Sequence, residues 1–385
     1  MQLLGGPLLV ALIVLALLMP VGVITVWPRV RGPRAAQISA RLGLVLVAQL
    51  AALSAGLVAL NDYGQFFTSW SELFGTASPA RVVGAAHYGA SPQPKHLHAL
   101  VPAFTHVAAV HSDSLPAGVE ATPWSPQTEW RRRGEVVTVR LTGATTGLSE
   151  LAQVYLPPSY FAGRRAMPLV EVMSGYPGST LALVDRLHYP ADMLSAITSG
   201  APSMVLVMLR PSVTSPRDTE CTNVPNGPQA FSYFARDVPA AVSAKFGLQP
   251  TSYGAIGDST GGMCAVKLAV VDPQQFTAAV SLSGYFHAIR DATTGDLYGG
   301  STATRQLNDI IWRMRNLPLP PVSVLVATSL TEKGADGYRS AQQFLGLVRA
   351  PMSADEIVLN HGGHNFETWN REIPSALRWL GRHLP

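Results

Sequence analysis

Six residues, Gly257-Asp258-Ser259-Thr260-Gly261-Gly262, restrict the fold of this chain more than any other segment. They stand between an apolar run at 253–256 and a helix-like stretch at 263–271. A Gly-x-Ser-x-Gly sequence makes a nucleophile elbow only where a strand turns sharply into a helix. The serine must then adopt a strained backbone conformation that lifts its hydroxyl above the sheet. Gly257 and Gly261 allow the close strand–helix approach that a larger side chain would block. The helix that follows aims its unpaired N–H groups at the place where an oxyanion forms. A glycine-rich turn of no chemical consequence has the same five-residue pattern, so the flanking strand and helix carry the assignment of Ser259 as nucleophile.

A nucleophilic serine needs a base, and the base needs an orienting acid. In α/β-hydrolases these follow in the order Ser, acid, His. His364 lies in Asn360-His361-Gly362-Gly363-His364-Asn365-Phe366, just after the apolar run 357–359. A histidine on a glycine-flanked loop at a strand end can swing toward a neighbouring strand's serine. His361 competes for the role, but it lies closer to the strand and has less reach. The acid is expected at the end of an intervening strand, and residues 321–328 read as that strand, a continuous buried apolar run. Its exit loop carries Glu332 and Asp336. Glu332, nearer the strand end, is the preferred triad acid; Asp336, next to Gly337, is the alternative and also reads as turn or helix-cap chemistry. One oxyanion donor is expected at the backbone N–H of Thr260. The other is expected in Ser174-Gly175-Tyr176-Pro177-Gly178, which follows the apolar strand 169–173. Pro177 has no N–H, so the donor is that of Tyr176. Such a donor typically contributes ~3 kcal/mol to the transition state.

The ordered set of Ser-Gly-Tyr-Pro-Gly at 174–178, Gly-Asp-Ser-Thr-Gly-Gly at 257–262 and Gly-Gly-His-Asn-Phe-Glu-Thr-Trp at 362–369 resembles the esterase family of α/β-hydrolases. That family includes the esterase D-type enzymes and the mycobacterial antigen 85 mycolyltransferases. The resemblance runs from about Glu135 to the C-terminus. By matching motif positions it implies Ser259 as nucleophile, His364 as base, an acid in the loop of Glu332, and oxyanion donors at Tyr176 and Thr260. The antigen 85 enzymes have an Asp-Gly-Leu-Arg type of oxyanion loop where this chain has Ser174-Gly175-Tyr176-Pro177. Acyl transfer carries over; a trehalose or mycolate specificity does not.

Where that chemistry takes place is read from the front of the chain. With 47% hydrophobic and 14% charged residues among 385, the chain is apolar for a soluble enzyme. The excess lies in two uncharged runs, 3–26 and 42–60, each near the ~20 residues that cross a bilayer. Arg29, Arg31, Arg34 and Arg41 lie between them, and no acidic residue precedes Asp62. By the positive-inside rule the short loop is cytoplasmic, which leaves everything after Leu60 outside. A signal peptide is the rival reading, but no basic segment precedes Leu3 and no cleavage site is evident. Pro20 is expected to kink the first span, a tolerated feature in membrane helices. Tyr63, Phe66, Phe67 and Trp70 read as an interfacial belt.

The expected architecture is therefore an α/β-hydrolase fold, a mostly parallel sheet with flanking helices, preceded by two transmembrane helices. Residues 1–61 form the anchor, 62–130 an interfacial segment and linker, and 131–385 the catalytic domain. A hairpin at 136–141 and 153–156 opens that domain, and 230–245 reads as one helix. The insertion 285–316 is placed as a substrate cap. Cys221 and Cys264, read as falling in regions of adjacent strands, are expected to form a disulfide. No cofactor is called for, and no metal: His96, His98 and His106 are too loosely spaced. The net charge of +4 includes the four arginines of the inner loop, and no basic stripe with interleaved aromatics suggests nucleic acid. The implied partner is an acyl ester, a lipid or envelope glycolipid, met at the membrane. Three readings follow: a serine acyl hydrolase on the outer face of the membrane, an acyltransferase that passes the acyl group to a sugar hydroxyl, or a non-catalytic envelope-binding protein of hydrolase fold. The complete Ser, acid and His set argues against the last.

Overall fold

Aliphatic runs without polar alternation suit strands covered on both faces, and the centre of this sheet is built from them. In chain order the strands are β1 (Val82–Gly89), β2 (Glu135–Thr142), β3 (Ser149–Leu156), β4 (Leu169–Met173), β5 (Val205–Leu209), β6 (Tyr253–Asp258), β7 (Phe276–Leu282), β8 (Ser323–Ser329) and β9 (Ser353–Leu359). They form one nine-stranded sheet in the order β1-β9-β8-β7-β6-β4-β5-β3-β2. Neighbours from β9 through to β5 run parallel. The edge strands β1, β2 and β3 pair antiparallel. The computed structural model describes residues 3–4, 6–90 and 126–384. This is the α/β-hydrolase architecture.

Alternation along the strands divides the core in two. Leu169 and Met173 of β4 join Met263, Val266 and Leu268 of the helix Thr260–Val271 on one face. Val170 and Val172 join Ile373, Leu377 and Leu380 of the helix Phe366–His383 on the other. Side chains of successive strand residues point to opposite faces, so a short apolar strand feeds both cores. Each parallel strand delivers its carboxyl end to one edge of the sheet, where functional groups of open α/β sheets collect.

The chain divides into two units, described separately. One contains the residues up to Pro79 with His361–Asn365; the other contains Ala80–Asn360 and the chain from Phe366 onward. In the first, the helices Gly6–Val26 and Arg34–Gly64 pack against each other, and both are long and apolar enough to cross a membrane. The first has no buried residue, and a helix apolar all round with its side chains uncovered suits an apolar solvent. Arg41 lies over the Trp27 ring at 5.1 Å, near the turn between the two helices.

Two expectations are corrected. The segment 62–130 is not linker throughout, because Val82–Gly89 forms β1, paired with β9. Its Gly-Ala-Ala-His core lacks the alternating pattern by which strands are recognised. The stretch with His96, His98 and His106 lies outside the described residues. Residues 230–245 are not one α-helix: Ala230–Ser232 passes into a π-turn at Tyr233–Asp237 before the helix Val238–Phe246. Pro239 has no N–H for the carbonyl four residues back, which loosens the ladder there. Asp237 also turns its carboxylate to the Thr145 and Thr146 N–H groups and the Thr146 hydroxyl.

Glu171 stands between Leu169 and Met173 on β4, fully buried, and neither carboxyl oxygen has a hydrogen-bond partner. Burial pushes its carboxyl well above the usual value of 4.5. A folded-state pKa raised in this way favours folding below about pH 4.5, and that contribution is lost as pH rises toward the folded value. Glu171→Met is therefore expected to raise stability by about 1–3 kcal/mol at neutral pH. The gain in melting temperature should be larger at pH 8 than at pH 5. An equal gain at both, measured in detergent, would mean that the site carries no titrating carboxyl.

Candidate active site

The helix Thr260–Val271 begins directly after β6, and Ser259 is the hinge between them at φ 54°, ψ −123°. Few side-chain-bearing residues tolerate this conformation, which typically costs ~1–3 kcal/mol. It is fixed from both sides. The Ser259 N–H donates to the Leu282 carbonyl oxygen of β7 at 2.9 Å, and its own carbonyl accepts from Met263 at 3.1 Å. Gly261 explains the glycine requirement: a Cβ there would lie 2.7 Å from the Ser174 carbonyl oxygen and closer still to that of Met173. Ser259 itself is half-buried, at the mouth of an otherwise buried turn.

The loop after β4 approaches the elbow closely. A Cβ on Gly175 would come within 3.0 Å of the Ser259 Cβ. The Gly175 N–H donates to Asp258 Oδ2 at 2.8 Å, so that donor is committed to holding the loop. Asp258 is thus a positioning residue the motif did not advertise; its signal was an acid at the end of an apolar strand. The expected oxyanion donors, Tyr176 and Thr260, follow Gly175 and Ser259 directly. Neither N–H is engaged by another group among the described residues. The Tyr176 hydroxyl donates to the Pro216 carbonyl oxygen, which ties this loop to the one after β5.

Glu332 lies in the exit loop of β8 and is 2% exposed. Its Oε2 accepts from the Ser283 hydroxyl at 2.7 Å, and the Thr328 hydroxyl stands 3.3 Å away. Ser283 is the first residue after β7 and has φ 49°. Since β7 is the neighbour of β6, Ser283 connects the acid's loop with the strand that holds the Ser259 N–H. Asp336 is half-buried in the turn before the helix Tyr338–Leu345.

The two histidines fall in His361–Asn365, within the unit of the N-terminal helices. His361 Nδ1 is 3.3 Å from Glu72 Oε1, and Glu72 Oε2 accepts from the Thr68 N–H and hydroxyl at 2.6 and 2.7 Å. His361 therefore has a carboxylate partner inside its own unit. His364 donates its backbone N–H to the Gln65 carbonyl oxygen at 2.9 Å. Its segment leaves β9, the neighbour of β8, and ends where the helix Phe366–His383 begins. Among the described residues no group of three or more His, Cys, Asp or Glu side chains is arranged to hold a metal ion.

Cys221 and Cys264 are joined as a disulfide, with Cα atoms 5.6 Å apart. The bridge fastens the loop after β5 to the second turn of the helix Thr260–Val271; β4 lies between β5 and β6 in the sheet, so the two regions are not on adjacent strands as expected.

Comparison with known proteins agrees with this architecture. A family model described as "Putative esterase" matches residues 143–380. The chain is 29% identical to the MPT51 antigen of Mycobacterium leprae over 167 residues, covering 42% of this chain and 54% of that protein. It is 26% identical to the MPT51/MPB51 antigen of Mycobacterium tuberculosis over 136 residues, covering 34% and 45%. The chain spans about half the length of the curated relatives it matches. Among solved structures, an S-formylglutathione hydrolase from Agrobacterium tumefaciens aligns with TM-score 0.56 at 16% identity, covering 66% of this chain and 96% of that one. A ferulic acid esterase aligns with TM-score 0.54 at 16% identity, covering 66% and 99%. At such identities the likeness is one of fold.

The environments of the two acids differ enough to separate their roles by mutation. Glu332→Gln keeps the volume and removes the charge, and is expected to lower kcat/KM by up to ~10⁴-fold, as loss of a triad acid does. Asp336→Asn, in a turn that asparagine also suits, is expected to stay within a few-fold of the parent. A severe defect in Asp336→Asn beside a near-normal Glu332→Gln would transfer the role to Asp336.

Proposed function

The chain belongs to the esterase family of the α/β-hydrolase fold, and from that premise we propose that it is a serine acyl hydrolase. The observation that carries the reading is Ser259, held at φ 54°, ψ −123° between β6 and its helix. A serine in that conformation presents its hydroxyl at the carboxyl edge of the sheet, beside the first turn of a helix.

In the proposed cycle Ser259 Oγ attacks the ester carbonyl carbon while His364 accepts the hydroxyl proton as general base. Glu332 stabilises the resulting imidazolium. The carbonyl oxygen becomes an oxyanion, which accepts hydrogen bonds from the Thr260 and Tyr176 N–H groups. Collapse breaks the bond to the alcohol oxygen, and His364 returns its proton to that leaving group. The acyl-enzyme is cleared by water, activated in turn by His364, and Ser259 recovers its proton. A sugar hydroxyl in place of water turns the same cycle into acyl transfer. The bond changes are identical, so the acceptor is decided by what reaches the acyl-enzyme.

The two apolar helices support a membrane-anchored reading. With Arg29, Arg31, Arg34 and Arg41 in or beside the short connection, the positive-inside rule puts that connection in the cytoplasm and the catalytic domain on the outer face. The substrate is then an acylated lipid or envelope component within reach of the membrane.

Three experiments test this. Ser259→Ala should abolish both turnover of p-nitrophenyl esters and labelling by a fluorophosphonate probe; a mutant that still labels would sink the nucleophile assignment. Hydrolysis and transfer are separated by repeating the parent's assay with a sugar acceptor and following acyl-sugar product. For topology, a reporter active only outside the cytoplasm should work when fused after Pro385 and fail when fused after Pro33. The reverse pattern overturns the placement on the outer face.

A further inference from the structure

Behind the nucleophile helix lies a buried polar network that the proposed cycle does not itself use. Glu220, 1% exposed, is its hub. One carboxylate oxygen accepts from the Tyr285 hydroxyl and the other from the Tyr298 hydroxyl, each at 2.9 Å. The Tyr285 oxygen also stands 3.4 Å from Thr260 Oγ1. Thr260 donates its hydroxyl to Asp218 Oδ2 at 3.2 Å, and Asp218 Oδ1 accepts the Glu220 N–H at 2.9 Å. Lys267 Nζ donates to the Glu220 carbonyl oxygen at 3.0 Å and to Thr222 Oγ1 at 2.8 Å. Thr260, Cys264 and Lys267 follow the spacing of one helical face, so one face of the nucleophile helix is given over to the 218–222 loop.

A stability rationale for this arrangement is weak. Glu220 and Cys221 both carry side chains at positive φ, 43° and 44°, a conformation that costs ~1–3 kcal/mol per residue. Burial raises the Glu220 carboxyl and lowers the Lys267 ammonium, each opposed by the other's charge. Replacing buried charges by apolar packing is often neutral or stabilising. What the network does specify is position. It joins three segments at the sheet edge: the loop after β5, the nucleophile helix and the insertion after β7.

We propose that Glu220 is a positioning residue for acyl transfer, which fixes Thr260 and its oxyanion-facing N–H through Tyr285 and ties the 285–316 insertion to the same helix through Tyr298. The proposal rests on Ser259 as nucleophile and Thr260 as oxyanion donor. A shift of about 1 Å in such a donor is enough to cost ~100-fold in rate, so a hub that removes slack from Thr260 acts on kcat. Tyr298, farther along the same insertion, acts on substrate binding through the cap that 285–316 forms in this reading.

The test uses the full chain in detergent, with p-nitrophenyl butyrate as probe. Tyr285→Phe removes one oxygen and no packing volume. It is expected to lower kcat and the fluorophosphonate labelling rate about 10- to 100-fold, with KM within twofold of the parent and little change in melting temperature. Tyr298→Phe is expected to raise KM and leave kcat close to the parent. Glu220→Gln should show both effects. In the double mutant with Tyr285→Phe the loss of kcat should be less than the product of the single losses, because both act through one contact. If Glu220→Gln does not fold, the tyrosine pair carries the test alone. The proposal is overturned if Tyr285→Phe keeps the parent kcat, or if its loss of activity only tracks a loss of folded protein. Should Ser259→Ala still label, the functional reading fails instead. Should Ser259→Ala be silent while the Tyr285 and Glu220 variants turn over like the parent, only this inference fails.

Discussion

The carboxyl edge of this sheet depends on one steric constraint: the helix Thr260–Val271 must begin in contact with the carbonyl groups at the end of β4. At Gly261 no side-chain atom fits, because the Met173 and Ser174 carbonyl oxygens occupy the space a Cβ would take. With the helix start fixed there, the chain has a single residue in which to turn from strand to helix. That residue is Ser259, and the turn forces it to φ 54°. The same approach brings Gly175 against Ser259 and allows Asp258 to take the Gly175 N–H. The elbow, the loop after β4 and the helix start are one packing solution.

Strain gathers where these segments meet. Ser259 follows β6, Ser283 follows β7, and Glu220 with Cys221 lies in the loop after β5, all at positive φ without being glycine. Loops cannot hold such conformations by themselves. The holding structure is the sheet beneath, whose strands β4 and β5 are buried along their whole length and packed on both faces. The strained residues are also anchored in pairs. Ser259 hangs from Leu282, Ser283 reaches Glu332, and Cys221 is bonded to Cys264. Rigidity is supplied by the core and spent at its edge, as a preorganised site requires.

How much of this was legible in the chain follows from the range of each interaction. The elbow, the parallel strands and the two long apolar helices are written locally, in glycine spacing and in uninterrupted aliphatic runs. β1 was missed because Gly84-Ala85-Ala86 has no alternation; its pairing is decided by β9, some 270 residues away. The partner of His361 was likewise out of reach, since Glu72 lies 289 residues earlier. Nearness to a strand end singles out Glu332 in the sequence, but its burial and its bond to Ser283, 49 residues back, are tertiary facts. The Glu220 hub left no motif at all. Its tyrosines lie 65 and 78 residues downstream, and a tyrosine's hydroxyl acquires a partner only when the fold supplies one.

The carboxyl groups below the active edge show how one fold sorts acids by environment. Glu171 and Glu372 are both fully buried and lack any hydrogen-bond partner for their carboxyl oxygens. Burial pushes each well above the usual carboxylate range. For Glu372 the charge of Glu332 adds to that effect. Glu332 is nearly as buried, yet it accepts from Ser283 and has the Thr328 hydroxyl alongside. Hydroxyl donors give a buried carboxyl oxygen the partners it loses with water, and Glu372 has none. Glu332 and Glu372 are thus two buried carboxyls divided by environment, the one hydrogen-bonded and the other without a partner, a division by which a fold sets its acids apart.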